Sequence, residues 1–164
     1  MGRWQRGERT VQFLIDRGRL EPIEASDLAA LAGALIERAT RRAEATATAA
    51  LQLGDVDGAY AAAYDAYRIA TEALLARQGL RATGGEGSHV AVEDTVAAQF
   101  AQQIPAFAKP VFERIRRTRH TAQYFDPSAA PITASDARWA IEKATAALAG
   151  VKVLLSASPL DRFG

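Results

Sequence analysis

The chain has 164 residues, a formal net charge of +1 and no cysteine. That length suits one domain with room for a real core. The near-neutral charge leaves an electrostatic partner only a local patch to recognise, and the lack of cysteine excludes disulfides and thiolate chemistry.

Two histidines, His89 and His120, are too few for a multi-histidine metal site within one chain, so neither a metal nor another cofactor is expected. Alanine dominates, while Val, Ile and aromatic residues are too scattered to build strands, which favours helix. Residues 1–20 lack an apolar core and carry Arg3, Arg6, Arg9, Arg17 and Arg19, unlike a secretory signal. No stretch approaches the roughly 20 apolar residues of a membrane span. The expectation is a cytoplasmic chain with no membrane partner and no internal repeat.

In chain order, residues 8–18 predict a short helix around Val11, Leu14 and Ile15, ended by Gly18 to Pro22. Ser26 is the expected N-cap of a long helix running to about Leu53, with Asp27 in its first turn. Leu28, Leu31, Leu35 and Ala39 start its apolar stripe, which thins to alanine and permits close helix approach. The turn Gly54 to Gly58 leads into a third helix ending near Gln78, whose apolar face is Tyr60, Ala63, Tyr67, Ala70 and Leu74. Its aspartates resemble part of a calcium loop, but Ala66 stands where the closing glutamate belongs, so that reading is discarded. Gly79 is placed for a left-handed C-terminal cap, with Leu80 after it.

Residues 79–88 read as a glycine-rich loop, followed by a helix from His89 to Gln103 that Pro105 and Pro110 interrupt. The next helix, about 107–125, turns Phe107, Val111, Ile115, Thr118 and Ala122 inward. Thr133 with Asp136 forms an acidic capping box before a last helix with Ala137, Ile141, Ala144, Leu148, Val151 and Leu155 on its seam. Residues 156–164 read as a frayed tail. Trp4 and Trp139 read as packing residues. Together these predict an all-α fold, a bundle of four to five antiparallel helices in one domain with its core at about 11–155.

Chemistry concentrates in Arg114–Tyr124, where four of the six residues from Arg114 to Arg119 are arginine. Stepping about 100° per residue from an inward Ile115 puts Arg116, Arg117, His120 and Tyr124 on the outer side. Arg119 falls about 40° from Ile115, near the core, where it needs a carboxylate or backbone partner. Such a group of guanidiniums can grip a phosphate, and a neighbouring His or Tyr can move a proton in phosphodiester cleavage. The bland alternative is a solvated basic face. On the third helix, Asp65, Arg68 and Glu72 form either an exposed ion-pair ladder or, in Asp65, an anchor for Arg119. Gly84 to His89 precedes a helix whose first amides suit an anion, but no Walker motif is present, and the reading preferred is a mobile interhelical loop with His89 as a cap or loop residue.

These segments resemble the HEPN superfamily, in particular its actinobacterial-type stand-alone branch. The resemblance rests on Phe13–Leu20, Tyr64-Asp-Ala-Tyr-Arg68, Leu75 through Arg81, Gly87-Ser-His-Val90 and Arg116-Arg-Thr-Arg-His-Thr-Ala-Gln-Tyr124, and so spans most of the chain. It implies a helical bundle that homodimerises and places two copies of an Arg-x4–6-His motif in one cleft. It also implies RNA or nucleotide binding, and metal-independent endoribonuclease activity of a toxin–antitoxin or stress-response type. In one register Arg119 is the motif arginine, His120 its polar neighbour, and Tyr124 stands in the histidine position. In the other, Arg114 pairs with His120, about 120° away on a straight helix. The resemblance assigns Arg119, His120 and Tyr124 to catalysis, Arg114, Arg116 and Arg117 to phosphate or RNA, and Asp65, Arg68 and His89 to support. The alternative it leaves open is an inactive helical module that binds a partner protein such as a nucleotidyltransferase.

Overall fold

The computed structural model describes residues 5–157 and 160–164; Trp4 and Pro159 fall outside them. The fold is all-α. The first helix, α1, spans Glu8–Asp16 and leads through Gly18 to a short strand, β1, Leu20–Pro22. The long second helix starts as α2, Leu28–Arg41, passes through a π-helical stretch at Arg42–Ala47 and ends as α3, Thr48–Gln52. Its N-cap is Asp27 rather than Ser26: the Asp27 carboxylate accepts from the Ala30 amide at 2.9 Å. Likewise Asp55, discarded above as a calcium ligand, caps the central helix α4, Val56–Arg77, by accepting from the Gly58 amide at 2.9 Å.

Gly79 ends α4 with φ +75°, the left-handed value for which glycine is suited. The chain then departs from the expected loop. Leu80–Ala82 forms β2, which pairs antiparallel with β1, Leu20 opposite Ala82. Each strand is three residues long, and Pro22 sits in one of them, so neither carries the alternation by which strands are recognised. Helix α5, Ser88–Phe100, comes next, then a 3-10 turn at Pro105–Phe107, α6 at Lys109–Gln123, and α7 at Ala134–Ala157. The predicted capping box holds: Asp136 accepts from the Thr133 amide at 2.9 Å, and the Thr133 hydroxyl accepts from the Asp136 amide at 3.1 Å.

Alanine explains the packing. Helix α4 buries Ala59, Ala62, Ala63, Ala66, Ala70 and Ala73, and α7 buries Ala137, Ala140, Ala144 and Ala147, so backbones approach closely. On another side of α7, Gly150 makes room for the Ile104 side chain, which a Cβ there would meet at 2.8 Å. Larger side chains fill the space toward α6: Tyr67, Phe107 and Phe112 form an aromatic cluster with centroids 5.2–5.8 Å apart. Two tyrosines tie α4 to α6 and to the turn that precedes it. The Tyr67 hydroxyl donates to the Ala106 carbonyl at 2.6 Å, and the Tyr60 hydroxyl donates to the Ile115 carbonyl at 3.2 Å.

The C-terminal segment corrects the expectation of a frayed tail. Leu160 is buried, the Phe163 amide donates to the Gln78 carbonyl at 2.8 Å, and Arg162 donates to the Ala25 carbonyl at 3.2 Å. Among the described residues no helix is long and apolar enough to cross a membrane.

Replacing Tyr67 with Phe should leave the buried Ala106 carbonyl without its donor, at a cost of about 1–3 kcal/mol. Denaturant unfolding should show a lower midpoint at unchanged slope; an unchanged midpoint would remove this bond from the account of how α6 is positioned.

Candidate functional site

Helix α6 distributes its basic segment over three faces. Arg114 turns to α7 and stacks on Trp139, with its guanidinium carbon 3.8 Å from the ring centroid. His120 and Tyr124 lie together at the exposed C-terminal end, ring centroids 4.9 Å apart. Nearby Asp126 is held below the usual carboxylate range by hydrogen bonds from Ser128, with a smaller contribution from His120. Arg117 points to solvent, and no ion pair, hydrogen bond or ring contact among the described residues involves it.

Arg116 and Arg119, one turn apart, face the groove between α6, α4 and α5. Arg116 reaches Glu93 of α5 at 3.4 Å. Arg119 corrects one expectation: its guanidinium does not take Asp65 but lies over the ring of Tyr64, 4.7 Å from its centroid. Asp65 instead stands 4.0 Å from Arg68, which also bonds Glu72 one turn further on. The ladder along α4 is therefore real, and it borders the groove.

At the bottom of this groove lies a cavity of about 100 Å³. Its walls include Tyr64, Arg68 and Glu72 of α4, Ser88, His89 and Glu93 of α5, and Ile115 of α6. The first turn of α5 opens onto it, and the N-cap Gly87 offers that turn no side-chain acceptor. Arg19 braces the preceding loop by donating to the Glu86 carbonyl at 2.9 Å.

The electrostatics mark the cavity as a partly desolvated place where charges of both signs meet. Burial lowers the His89 pKa first, and Arg68, Arg119 and Arg116 lower it further, so the imidazole is neutral near pH 7. Burial raises the Glu93 pKa, with Asp94 and Glu113 adding to it and Arg116 opposing. Burial likewise raises Tyr64, against the pull of Arg119 and Arg68. A neutral imidazole, a carboxylate with a raised pKa and three guanidiniums are the materials for holding an anion and moving a proton beside it. No group of three or more metal-ligating side chains occurs among the described residues.

The fold thus unites Arg116 and Arg119 with Arg68 and His89, and leaves Arg114, Arg117, His120 and Tyr124 on other faces. Sequence reasoning passed over Tyr64, Glu72 and Glu93 as site residues. Glu93 stands four residues after His89, on the same face of α5, which was the one available signal. Comparisons of the chain with family models, with curated proteins and with solved structures gave no match.

The lowered His89 pKa means that the unfolded chain binds more protons there than the folded one. The stability this represents is present above about pH 6.5 and is lost as pH falls from that value toward the folded pKa. An NMR titration should find the His89 midpoint below 6.5, and Arg119→Gln should move it upward by removing one of the neighbouring charges. A midpoint unmoved by Arg119→Gln would separate the two residues.

Proposed function

We propose that this chain is a HEPN-like domain that binds a phosphate of RNA or of a nucleotide in the α4–α5–α6 groove. One observation carries the reading. Arg68 and His89 line one cavity at the start of α5, Arg116 and Arg119 reach its wall residues Glu93 and Tyr64, and Arg119 alone of the three arginines has no carboxylate partner among the described residues. A guanidinium lying on an aromatic face keeps its edge donors for a second ligand. Amides at a helix start add donors of the same kind. Glu72 and Glu93 hold Arg68 and Arg116 in place, so a bound phosphate would find the fork-shaped donors already oriented.

The family resemblance adds metal-independent cleavage of RNA, with Arg119 steadying the phosphate and His120 or Tyr124 transferring a proton. Within one chain, His120 lies about 100° around α6 from Arg119, so His89 is the imidazole nearer the bound phosphate. A homodimer in which a second copy lays His120 and Tyr124 over the groove would complete the set that the resemblance implies.

A second reading, a helical module that binds a partner protein such as a nucleotidyltransferase, draws on the chain after α6. There Phe125 is 95% exposed and Tyr124 56% exposed. Single exposed apolar residues are common, but an adjacent aromatic pair is a typical anchor for a partner. That reading predicts binding that Phe125→Ser removes and Arg119→Ala leaves intact.

Titration with a short RNA and with inorganic phosphate tests the leading reading. Arg119→Ala should weaken both by about 10–100-fold, the loss of one charged hydrogen-bonding partner. Equal affinity for the variant and the parent chain would sink it. Cleavage of RNA in EDTA, abolished by Arg119→Ala, would add the enzymatic step, and intact RNA at high protein concentration would remove it.

A further inference from the structure

A second cavity, of about 340 Å³, lies between α2, α4, α5 and the β1–β2 ribbon. That volume falls in the lower part of the range of small-molecule sites, roughly 300–1,000 Å³. Six aliphatic side chains line it: Ile23, Leu31, Leu35, Leu75, Leu80 and Val92. Among the described residues no aromatic ring reaches it, and its two charged residues are already engaged. Arg81 bonds Glu21 on the facing strand at 2.7 Å, and Glu72 bonds Arg68. The chamber offers a run of methylenes a place out of water, and it offers a charged head no free counterion.

The ribbon supplies the polar groups. In its register Leu20 faces Ala82, Glu21 faces Arg81 and Pro22 faces Leu80. The Ile23 amide donates to the Gly79 carbonyl at 2.8 Å and the Thr83 amide to the Arg19 carbonyl at 3.1 Å, which makes 23 with 79 and 19 with 83 bonded pairs. Bonded and non-bonded pairs alternate in an antiparallel ladder, so Leu80 and Ala82 both stand in non-bonded pairs. Their N–H and C=O groups therefore turn away from β1, and no hydrogen bond among the described residues engages them. Both residues line the chamber. Leu80 is buried and Ala82 half-buried, so Ala82 presents the donor and the acceptor that a ligand can reach. Backbone groups left unpaired beside an apolar chamber are costly, and a ligand that pairs with them removes that cost.

We infer that this chamber binds an uncharged aliphatic amide, with its alkyl chain among the leucines and its carboxamide paired to the N–H and C=O of Ala82. A primary carboxamide carries an acceptor and a donor side by side, the complement of the two groups of one extended residue. A carboxylate only accepts, and would set an acceptor against the Ala82 carbonyl; an ammonium only donates. A hydroxyl carries both functions on a single atom and matches the spaced pair less well. The site takes nothing from Arg116, Arg119 or His89, so it stands or falls apart from the phosphate reading.

Titration of the full chain with the straight-chain amides from butanamide to decanamide, followed through the NMR methyl signals of Leu31, Leu35 and Leu75, tests the assignment. Affinity should rise about fourfold per added methylene until the chamber is full, and then level off. At one chain length, hexanamide should bind more tightly than hexanol, hexanoate or hexylamine. Leu35→Trp, which fills the chamber from a half-buried position, should bring the levelling-off to a shorter chain. Arg119→Ala should leave the whole series unchanged. The comparison among ligands on the parent chain needs no variant to fold. Affinity that ignores chain length, or signals that move elsewhere and not in these leucines, would overturn the chamber. Hexanoate or hexylamine binding as tightly as hexanamide would overturn the pairing with Ala82.

Discussion

The burial of α4 on nearly all sides is the constraint on which the rest of this structure depends. A helix can be surrounded by others only if its side chains are small where backbones meet, and α4 meets that condition with alanine at seven buried positions. Three tyrosines stand where there is more room, and each carries a polar tip that must be satisfied. Tyr60 and Tyr67 spend theirs on carbonyls of the segment that leads into and forms α6. Tyr64 instead offers its ring to Arg119. The orientation of α6, and with it the direction of every arginine it carries, is thus fixed by hydroxyl groups on α4. Asp65, Arg68 and Glu72 lie on the one side of α4 that stays half open, which is why an ion-pair ladder on the central helix becomes the wall of a groove.

Local features were readable from the residues alone, and features that depend on which helices meet were not. The helices, the Thr133–Asp136 cap and the Gly79 stop come from interactions within a few residues, and they stand as the pattern predicts. The β ribbon escaped because three residues with a proline are too short to show a period of two. The π-helical stretch at Arg42–Ala47 lies in a run of Ala, Thr and charged residues with no apolar periodicity to shift. The docking of Leu160 and Phe163 depends on Gln78, far away in sequence.

The same distinction governs the site. The angular positions on α6 alone separated Arg116 from Arg119, because they are measured only from Ile115. In the fold both look into the groove, Arg116 to Glu93 of α5 and Arg119 to Tyr64 of α4, since Phe112 and Ile115 together, not Ile115 alone, define the buried direction. His89 and Arg68 could be named from the sequence only as supporting residues, because nothing local says that the start of α5 opens onto the middle of α4. Glu93 and Tyr64 take their importance wholly from that meeting.

Charge balance explains why such a groove is compatible with a stable fold. Three guanidiniums in one partly desolvated place would repel one another. Glu72 with Asp65 offsets Arg68, Glu93 offsets Arg116, and the Tyr64 ring receives Arg119. The partners are graded: carboxylates restrain two arginines, while a quadrupole, worth about 0.5–2 kcal/mol, holds the third. Arg119 is therefore the cation that gives up least when an anion arrives, and its position beside a neutral His89 puts that anion next to a group able to accept a proton. A groove balanced in this manner holds its shape through its own ion pairs and leaves Arg119 as the one of its three guanidiniums that no carboxylate among the described residues engages.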